Sequence, residues 1–313
     1  MKRGHNSDDA EGGREDEEEK RTKGDGPSLN VKILNSEEEM SNHYKQLDLI
    51  GEGCFGQTFI AHPANNPRIR FAMKVQTKEN PYAPAAFGND GAYADVLRLY
   101  REIVILTKIL PRHRNIIQVK DTLIGPDNLY ILTELCTQYT LEDFFPKADA
   151  VTGKRIFRQL ADAILCIHQH GVVHWDLNLF NILFVDENLE ECKIIDFGLS
   201  AYHPSWATKT NNNFDPRAWF REEELDLPMG PNKSGDIKCL GYFLHCILAG
   251  KFCPVMIANM DVEMTTTYRP RSELFGQEAM NLLKMIGPRP FGPERVEELP
   301  PIETICQHPW LTR

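Results

Sequence analysis

Four short motifs follow one another along 313 residues: Gly51-Glu52-Gly53-Cys54-Phe55-Gly56, Ala72-Met73-Lys74, His174-Trp175-Asp176-Leu177-Asn178-Leu179-Phe180-Asn181 and Asp196-Phe197-Gly198. Their order constrains the fold more than any one of them does. A glycine triplet of the first kind also marks dinucleotide-binding folds, but there it leads into a helix. Here it leads into Gln57-Thr58-Phe59-Ile60-Ala61-His62, whose alternation reads as a second strand. The glycines therefore belong to a hairpin.

The periodicity on either side predicts two unlike halves. Strands are expected at Tyr44 to Ile50, Gln57 to His62, Arg70 to Gln76, Gln118 to Leu123 and Leu129 to Leu135, the last two joined by the turn Gly125-Pro126-Asp127-Asn128. One helix interrupts them, Asp95 to Leu110, with Val96, Leu99, Tyr100, Ile103, Leu106 and Leu110 at helical spacing and Pro111 as its stop. After Glu134-Leu135-Cys136 the chain turns helical, with Leu141 to Phe145 and then Val151 to Gln169 stopped by Gly171. The expected class is α+β: an antiparallel-sheet lobe over 44–135 with one main helix, and a larger, mostly helical lobe over 137–313. A 42% hydrophobic content supports a large core, and chains beyond about 250–300 residues tend to split into lobes or domains.

Residues 1–40 read differently. Up to Asn30 they are rich in Asp, Glu, Lys, Arg and Gly, include Arg14-Glu15-Asp16-Glu17-Glu18-Glu19-Lys20-Arg21, and carry no large apolar residue before Leu29, so the segment is expected to be a disordered acidic tail. It lacks the apolar core of a signal peptide. The apolar stretch from Cys239 to Met260 is broken by His245, Lys251 and Pro254 and is expected to be a buried helix, not a membrane span. A formal charge of -10 argues against general nucleic-acid binding. The eight cysteines (Cys54, Cys136, Cys166, Cys192, Cys239, Cys246, Cys253, Cys306) form no C-x-x-C pair and read as reduced intracellular thiols, in cytoplasm, nucleus or both. Cys239, Cys246 and Cys253 recur every seven residues, near one helix face; Cys54 in the hairpin is the one expected to be exposed.

Taken together, the four motifs resemble those of eukaryotic protein kinases of the serine/threonine type. The resemblance covers roughly 44–313 and extends to His113-Arg114-Asn115-Ile116-Ile117, Asp236-Ile237-Lys238-Cys239-Leu240-Gly241 and the ending Gln307-His308-Pro309-Trp310-Leu311, which implies a complete domain. It implies transfer of the ATP γ-phosphate to protein Ser or Thr hydroxyls, with Mg2+, or Mn2+ in its place. Phosphoryl transfer asks the protein mainly for positioning and charge stabilisation, which explains the residue types. Gly51, Gly53 and Gly56, with Cys54, Phe55 and Thr58, would cover the phosphates; Lys74 would pair with them and with Glu102. Asp176 would be the base, and Asn181 and Asp196 the metal ligands. Ala72 and Leu183 would sandwich adenine beside Thr133, Glu134 and Cys136, and Asp236 would hold the catalytic-loop backbone. The resemblance makes His174 a structural residue of that loop. The spacing of His168, His170 and His174 alone does not make a zinc site.

Four departures qualify the resemblance. Asn178 stands where the family has a basic residue, so it can donate a hydrogen bond without bringing charge to the γ-phosphate. Trp175 replaces the Arg that reads activation-segment phosphorylation, which detaches that contact from Thr208 or Thr210. In Trp219-Phe220-Arg221-Glu222-Glu223-Glu224-Leu225, Glu222 and Glu223 replace Ala-Pro, implying substrates with Lys or Arg near the acceptor; Glu224 would need Arg295 or Arg289. Residues 78–94 form a longer connection than usual, either a docking element or a surface insertion. These departures leave a nucleotide-binding pseudokinase scaffold as the alternative, and a regulatory protein as an expected partner besides the substrate.

Overall fold

The computed structural model describes residues 31–53, 56–78, 100–209, 233–253, 268–293, 295 and 298–313. Strands β1 (Val31–Ile33), β2 (Tyr44–Gly53), β3 (Gly56–Pro63), β4 (Phe71–Thr77), β5 (Val119–Ile124) and β6 (Asn128–Glu134) form one sheet in the order β1-β5-β6-β4-β3-β2. All neighbours run antiparallel except β1, which lies parallel to β5.

Strand alternation gives this sheet two working faces. Met73, Ala61, Leu123, Tyr130 and Leu132 pack together on one, joined by Phe71 and Val75. On the other, β4 presents Ala72 and Lys74, opposite Ile60 and Thr58 of β3 and Thr133 and Ile131 of β6. Ile131 and Leu129 meet Ile103 and Tyr100 there. Those two residues belong to helix α2, which follows the short α1 (Met40–His43) and is described from residue 100 on, α-helical over 100–104 and π-helical over Ile105–Ile109. The expected helix thus ends one residue early, where the Leu110 amide bonds back to Ile105 O at 2.9 Å; its expected start at Asp95 lies outside the described residues.

The tail expectation is corrected for residues 31–40. Leu34 is buried in the outer-face core of the sheet, β1 pairs with β5, and Glu37 accepts hydrogen bonds from the Asp127 and Asn128 amides at 2.7 and 3.0 Å and from the Tyr130 hydroxyl. The physical reason is that a sheet with an apolar outer face needs a cover, and Leu34 with Met40 supplies part of it.

The second lobe is built on α4 (Ala150–Gln169), which follows α3 (Leu141–Phe144). Asp149 caps α4, accepting from the Val151 and Thr152 amides, while Thr152 Oγ1 accepts the Asp149 amide. Its Ile156, Phe157, Leu160, Ile164 and Ile167 recur at helical spacing and are fully buried, against α5 (Ser234–Ala249) and the strand Cys192–Ile194. The helix α6 (Ser272–Ile286) crosses α5 at Gly241, where an added Cβ would lie 1.7 Å from Ile286 O. The small helices α7 (Ile302–Cys306) and α8 (Pro309–Thr312) close the base, with Trp310 stacked 5.8 Å from Phe157. α5 ends at Gly250 (φ 75°), so Cys253 lies beyond the helix and not on its face; its thiol donates to Lys251 O at 3.4 Å. None of the described helices is long and apolar enough to cross a membrane.

Candidate active site

Two antiparallel strand pairs place the predicted residues. β8 (Ile182–Phe184) and β9 (Cys192–Ile194) pair with Ile182 opposite Ile194, and the Ile195 amide bonds Asn181 O at 2.9 Å. Asn181 and Asp196 are thereby neighbours despite their separation in sequence. Strands β7 (His170–Val173) and β10 (Ala201–Ala207) form the second pair, delivering the chain to His174.

Lys74 is the centre of the site. Its Nζ lies 2.8 Å from Glu102 Oε2 and 2.9 Å from Asp196 Oδ1, so the sheet, helix α2 and the segment after β9 meet at one ammonium. Burial pushes the Lys74 pKa down, but the two carboxylates outweigh it and hold the group above its ordinary value. Burial likewise raises Asp196, and Lys74 together with the Gly198 amide at 3.2 Å brings it below the usual carboxylate range. Glu102 Oε1 accepts the Phe197 amide at 3.4 Å. The expected pairing of Lys74 with Glu102 is present, and Phe197 is fully buried with its ring 4.8 Å from His174.

The catalytic loop is held from below. Asp236, buried in the first turn of α5, accepts the His174 and Trp175 amides at 2.9 and 3.1 Å and lies 2.9 Å from His168 Nε2. Trp175 takes a left-handed backbone (φ 63°) and Asp196 does the same (φ 59°); such residues persist where surrounding contacts over-determine them. His170 Nδ1 meets Cys166 O and His174 Nε2 meets Ile195 O, so the three histidines serve three separate contacts. Among the described residues no His, Cys, Asp and Glu cluster suited to a metal is found.

Asn181 Nδ2 donates to Asp176 O and Oδ2 at 2.8 and 2.9 Å. Asn178 Nδ2 donates to Asp176 O and Oδ1 at 3.2 and 3.3 Å, while its Oδ1 accepts the Phe180 and Asn181 amides at 2.9 and 3.1 Å. Asn178 is therefore the cap of the one-turn helix Leu179–Asn181. No described residue bonds Asn181 Oδ1 or Asp196 Oδ2. A hard divalent cation such as magnesium takes oxygen ligands, and these two open oxygens, just before β8 and just after β9, fit it.

The nucleotide side is assembled by register. Gly51 pairs with Thr58, Thr58 with Lys74 and Ala72 with Thr133, which puts all five on one face. Gly56 has φ 142° and an added Cβ would lie 2.0 Å from Val75 O, so this glycine is required by the backbone; Gly53 has open space beside it. Leu183 is partly exposed on β8, and Cys136 is half-buried, its thiol pushed up to about 11 by burial and then by Glu134. Cys54, Phe55, Thr210, residues 79–94 and the segment Trp219 to Leu225, including Glu222, Glu223 and Glu224, lie outside the described residues.

Sequence reasoning missed Lys193. Buried in β9, its Nζ reaches Glu134 Oε1 at 3.0 Å and Arg114 O at 2.6 Å, tying the connector between the lobes to the strand that carries Asp196. The signal was a lysine between Cys192 and Ile194 in an otherwise apolar strand.

A two-lobed fold with a lysine bridged to a helix glutamate and to an aspartate just beyond β9 is the arrangement of a protein kinase domain. The chain belongs to the protein kinase domain family, whose model matches residues 44–311. It is 31% identical over 236 residues to a calcium/calmodulin-dependent protein kinase type 1 of Caenorhabditis elegans, covering 74% of this chain and 61% of that protein. It is also 26% identical over 278 residues to calcium-dependent protein kinase 24 of Arabidopsis thaliana, covering 84% and 44%. The chain thus spans less than two thirds of the length of these relatives. In fold it is similar to the twitchin kinase region of C. elegans, with a TM-score of 0.63 at 18% identity, over 91% of this chain and 48% of that one.

Proposed function

We propose that this protein transfers the γ-phosphate of ATP to serine or threonine hydroxyls of protein substrates. The observation that carries the reading is the Lys74 bridge to Glu102 and Asp196, since a lysine so held is aimed at the phosphate side of the cleft. Asp176 accepts the proton of the acceptor hydroxyl, positioned by the amides of Asn178 and Asn181. Asn181 and Asp196 would hold magnesium, or manganese; when bound, the ion offsets phosphate charge. Gly51, Gly53, Cys54, Phe55, Gly56 and Thr58 cover the phosphates, and Ala72, Leu183, Thr133, Glu134 and Cys136 frame the adenine.

Asn178 sets the rate. Loss of one preorganised donor in such a site costs about 10²–10³ in turnover, which from typical kinase values of about 1–100 per second leaves a slow enzyme. Glu222 and Glu223 favour basic residues near the acceptor by charge complementarity. The names of the calcium/calmodulin-dependent relatives support a regulatory protein partner, and the thiol chemistry a cytoplasmic or nuclear setting. A pseudokinase scaffold is the second reading, favoured by Asn178, whose carboxamide oxygen is occupied within its own loop.

The deciding experiment follows labelled γ-phosphate from ATP, with magnesium and then manganese, into a mixed basic-protein substrate beside an Asp176→Asn control. Slow transfer that the control abolishes is expected. Transfer no greater than the control, with ATP still raising the melting temperature, selects the scaffold.

A further inference from the structure

The described residue with the most exposed Phe, Tyr or Trp ring is Phe180, 67% accessible, in the loop that carries Asp176. Leu177 and Leu179 beside it are buried, so the loop already has its inward anchors and Phe180 is not one of them. Its position is fixed: the Phe180 amide donates to Asn178 Oδ1 at 2.9 Å, and the same carboxamide reaches Asp176 Oδ1 at 3.3 Å. One side-chain amide therefore separates the backbone of Phe180 from the carboxylate that faces the acceptor hydroxyl. The next residue, Asn181, is bonded to the other Asp176 oxygen at 2.9 Å. A second exposed ring, Trp175, precedes Asp176 directly.

Charge supports an apolar occupant for this surface. From 175 to 184 the chain reads Trp-Asp-Leu-Asn-Leu-Phe-Asn-Ile-Leu-Phe, in which Asp176 is the only charged residue. A peptide whose hydroxyl lies at Asp176 would pass a rigid apolar ring and meet no ionic group of this loop besides Asp176 itself. An aromatic ring on a pinned backbone gives contact area at little entropic cost on binding.

We propose that Phe180 is a specificity-determining residue that receives a large apolar side chain, of the Leu, Ile, Met or Phe kind, flanking the acceptor Ser or Thr of the substrate. This rests on the protein-kinase reading above and adds an apolar requirement to the basic one at Glu222 and Glu223. The expected substrate is amphipathic around its acceptor.

The test is a positional-scanning Ser/Thr peptide library with labelled ATP and magnesium, run on the wild type, Phe180→Ala and Phe180→Glu, with melting temperatures as the folding check. The wild type is expected to favour large apolar residues at one flanking position. Phe180→Ala lowers kcat/KM for that peptide about tenfold, the scale of losing apolar contact in a recognition site. Phe180→Glu lowers it at least as far and shifts the same position toward Lys or Arg. An identical profile in all three proteins, or no apolar preference in the wild type, overturns the proposal. If the wild type transfers no phosphate, binding of fluorescent peptides with Leu or Gly at the flanking position decides instead. About tenfold tighter binding of the Leu peptide to wild type than to Phe180→Glu upholds the role of Phe180 while the kinase reading fails. Equal binding overturns it.

Discussion

At the scale of single residues, the site depends on side chains whose polar atoms are divided between two tasks. Asn181 uses its nitrogen on Asp176 and leaves an oxygen open; Asp196 uses one oxygen on Lys74 and leaves the other. Away from the cleft, His245 illustrates the cost of burial without such division. Fully buried in α5, it donates through Nε2 to Tyr268 O at 2.9 Å, stacks on Phe291, and its Nδ1 has no partner. Burial pulls its pKa from 6.5 down to about 4, the Tyr268 carbonyl only partly opposing this. The unfolded chain therefore binds the proton first as pH falls, and stability is lost between about 6.5 and 4. By pH 5 this one group removes about 2 kcal/mol. Urea melts of His245→Gln, which keeps a donor for Tyr268, should show a shallower stability decline over that interval than the wild type. Parallel curves would assign the acid sensitivity elsewhere.

At the scale of elements, β9 is the strut on which the cleft depends. Its far end carries Asp196 through Ile195, its Cys192 carbonyl and amide are bonded by Asn115 and Gln159, and its Lys193 grips Glu134 where the lobes join. Lys193→Met keeps the stem but removes the ammonium, leaving the Glu134 carboxylate, among the described residues, with the Gln118 amide at 3.1 Å. The connector should then hold the nucleotide less well. Affinity for ATP measured by titration is expected to fall about tenfold, equivalent to roughly 1.4 kcal/mol, while the Lys74 to Glu102 pairing persists. Unchanged affinity would make Lys193 a packing residue only.

At the scale of the whole molecule, the chain before β2 returns over the sheet of the small lobe. Leu34 adds apolar cover, Glu37 fills the turn between β5 and β6, and Lys32 pairs with Asp121, which also accepts the Tyr44 hydroxyl. Removing residues 1–40 is expected to lower unfolding free energy by about 3 kcal/mol or more, from one buried leucine and several hydrogen bonds. Glu37→Ala alone should cost about 1–3 kcal/mol, by leaving the Asp127 and Asn128 amides without their acceptor. Denaturant midpoints check both, and a truncated chain as stable as the full one would show the cover to be dispensable.

Much of this was legible because the motifs are local and their spacing is chemical. The glycines followed by a strand gave the hairpin, alternation in 71–77 gave the face that Lys74 shares with Ala72, and helical spacing placed Glu102 and α4. Residues 31–40 were read as tail because a three-residue strand carries too few apolar positions for its alternation to be recognised; its role lies in pairing with β5 across about ninety residues of chain. Cys253 was assigned to a helix face because a seven-residue interval persists whether or not Gly250 ends the helix. The sequence by itself determined the family, the two lobes and the pairing of Lys74 with Glu102. Only the tertiary structure decided that Asn178 is a loop cap, that Lys193 ties Glu134 to the strand leading to Asp196, and that Phe180 stands in solvent beside Asp176. These are contacts and exposures made by how strands and helices pack, and side-chain type alone carries no record of which polar atoms packing leaves open.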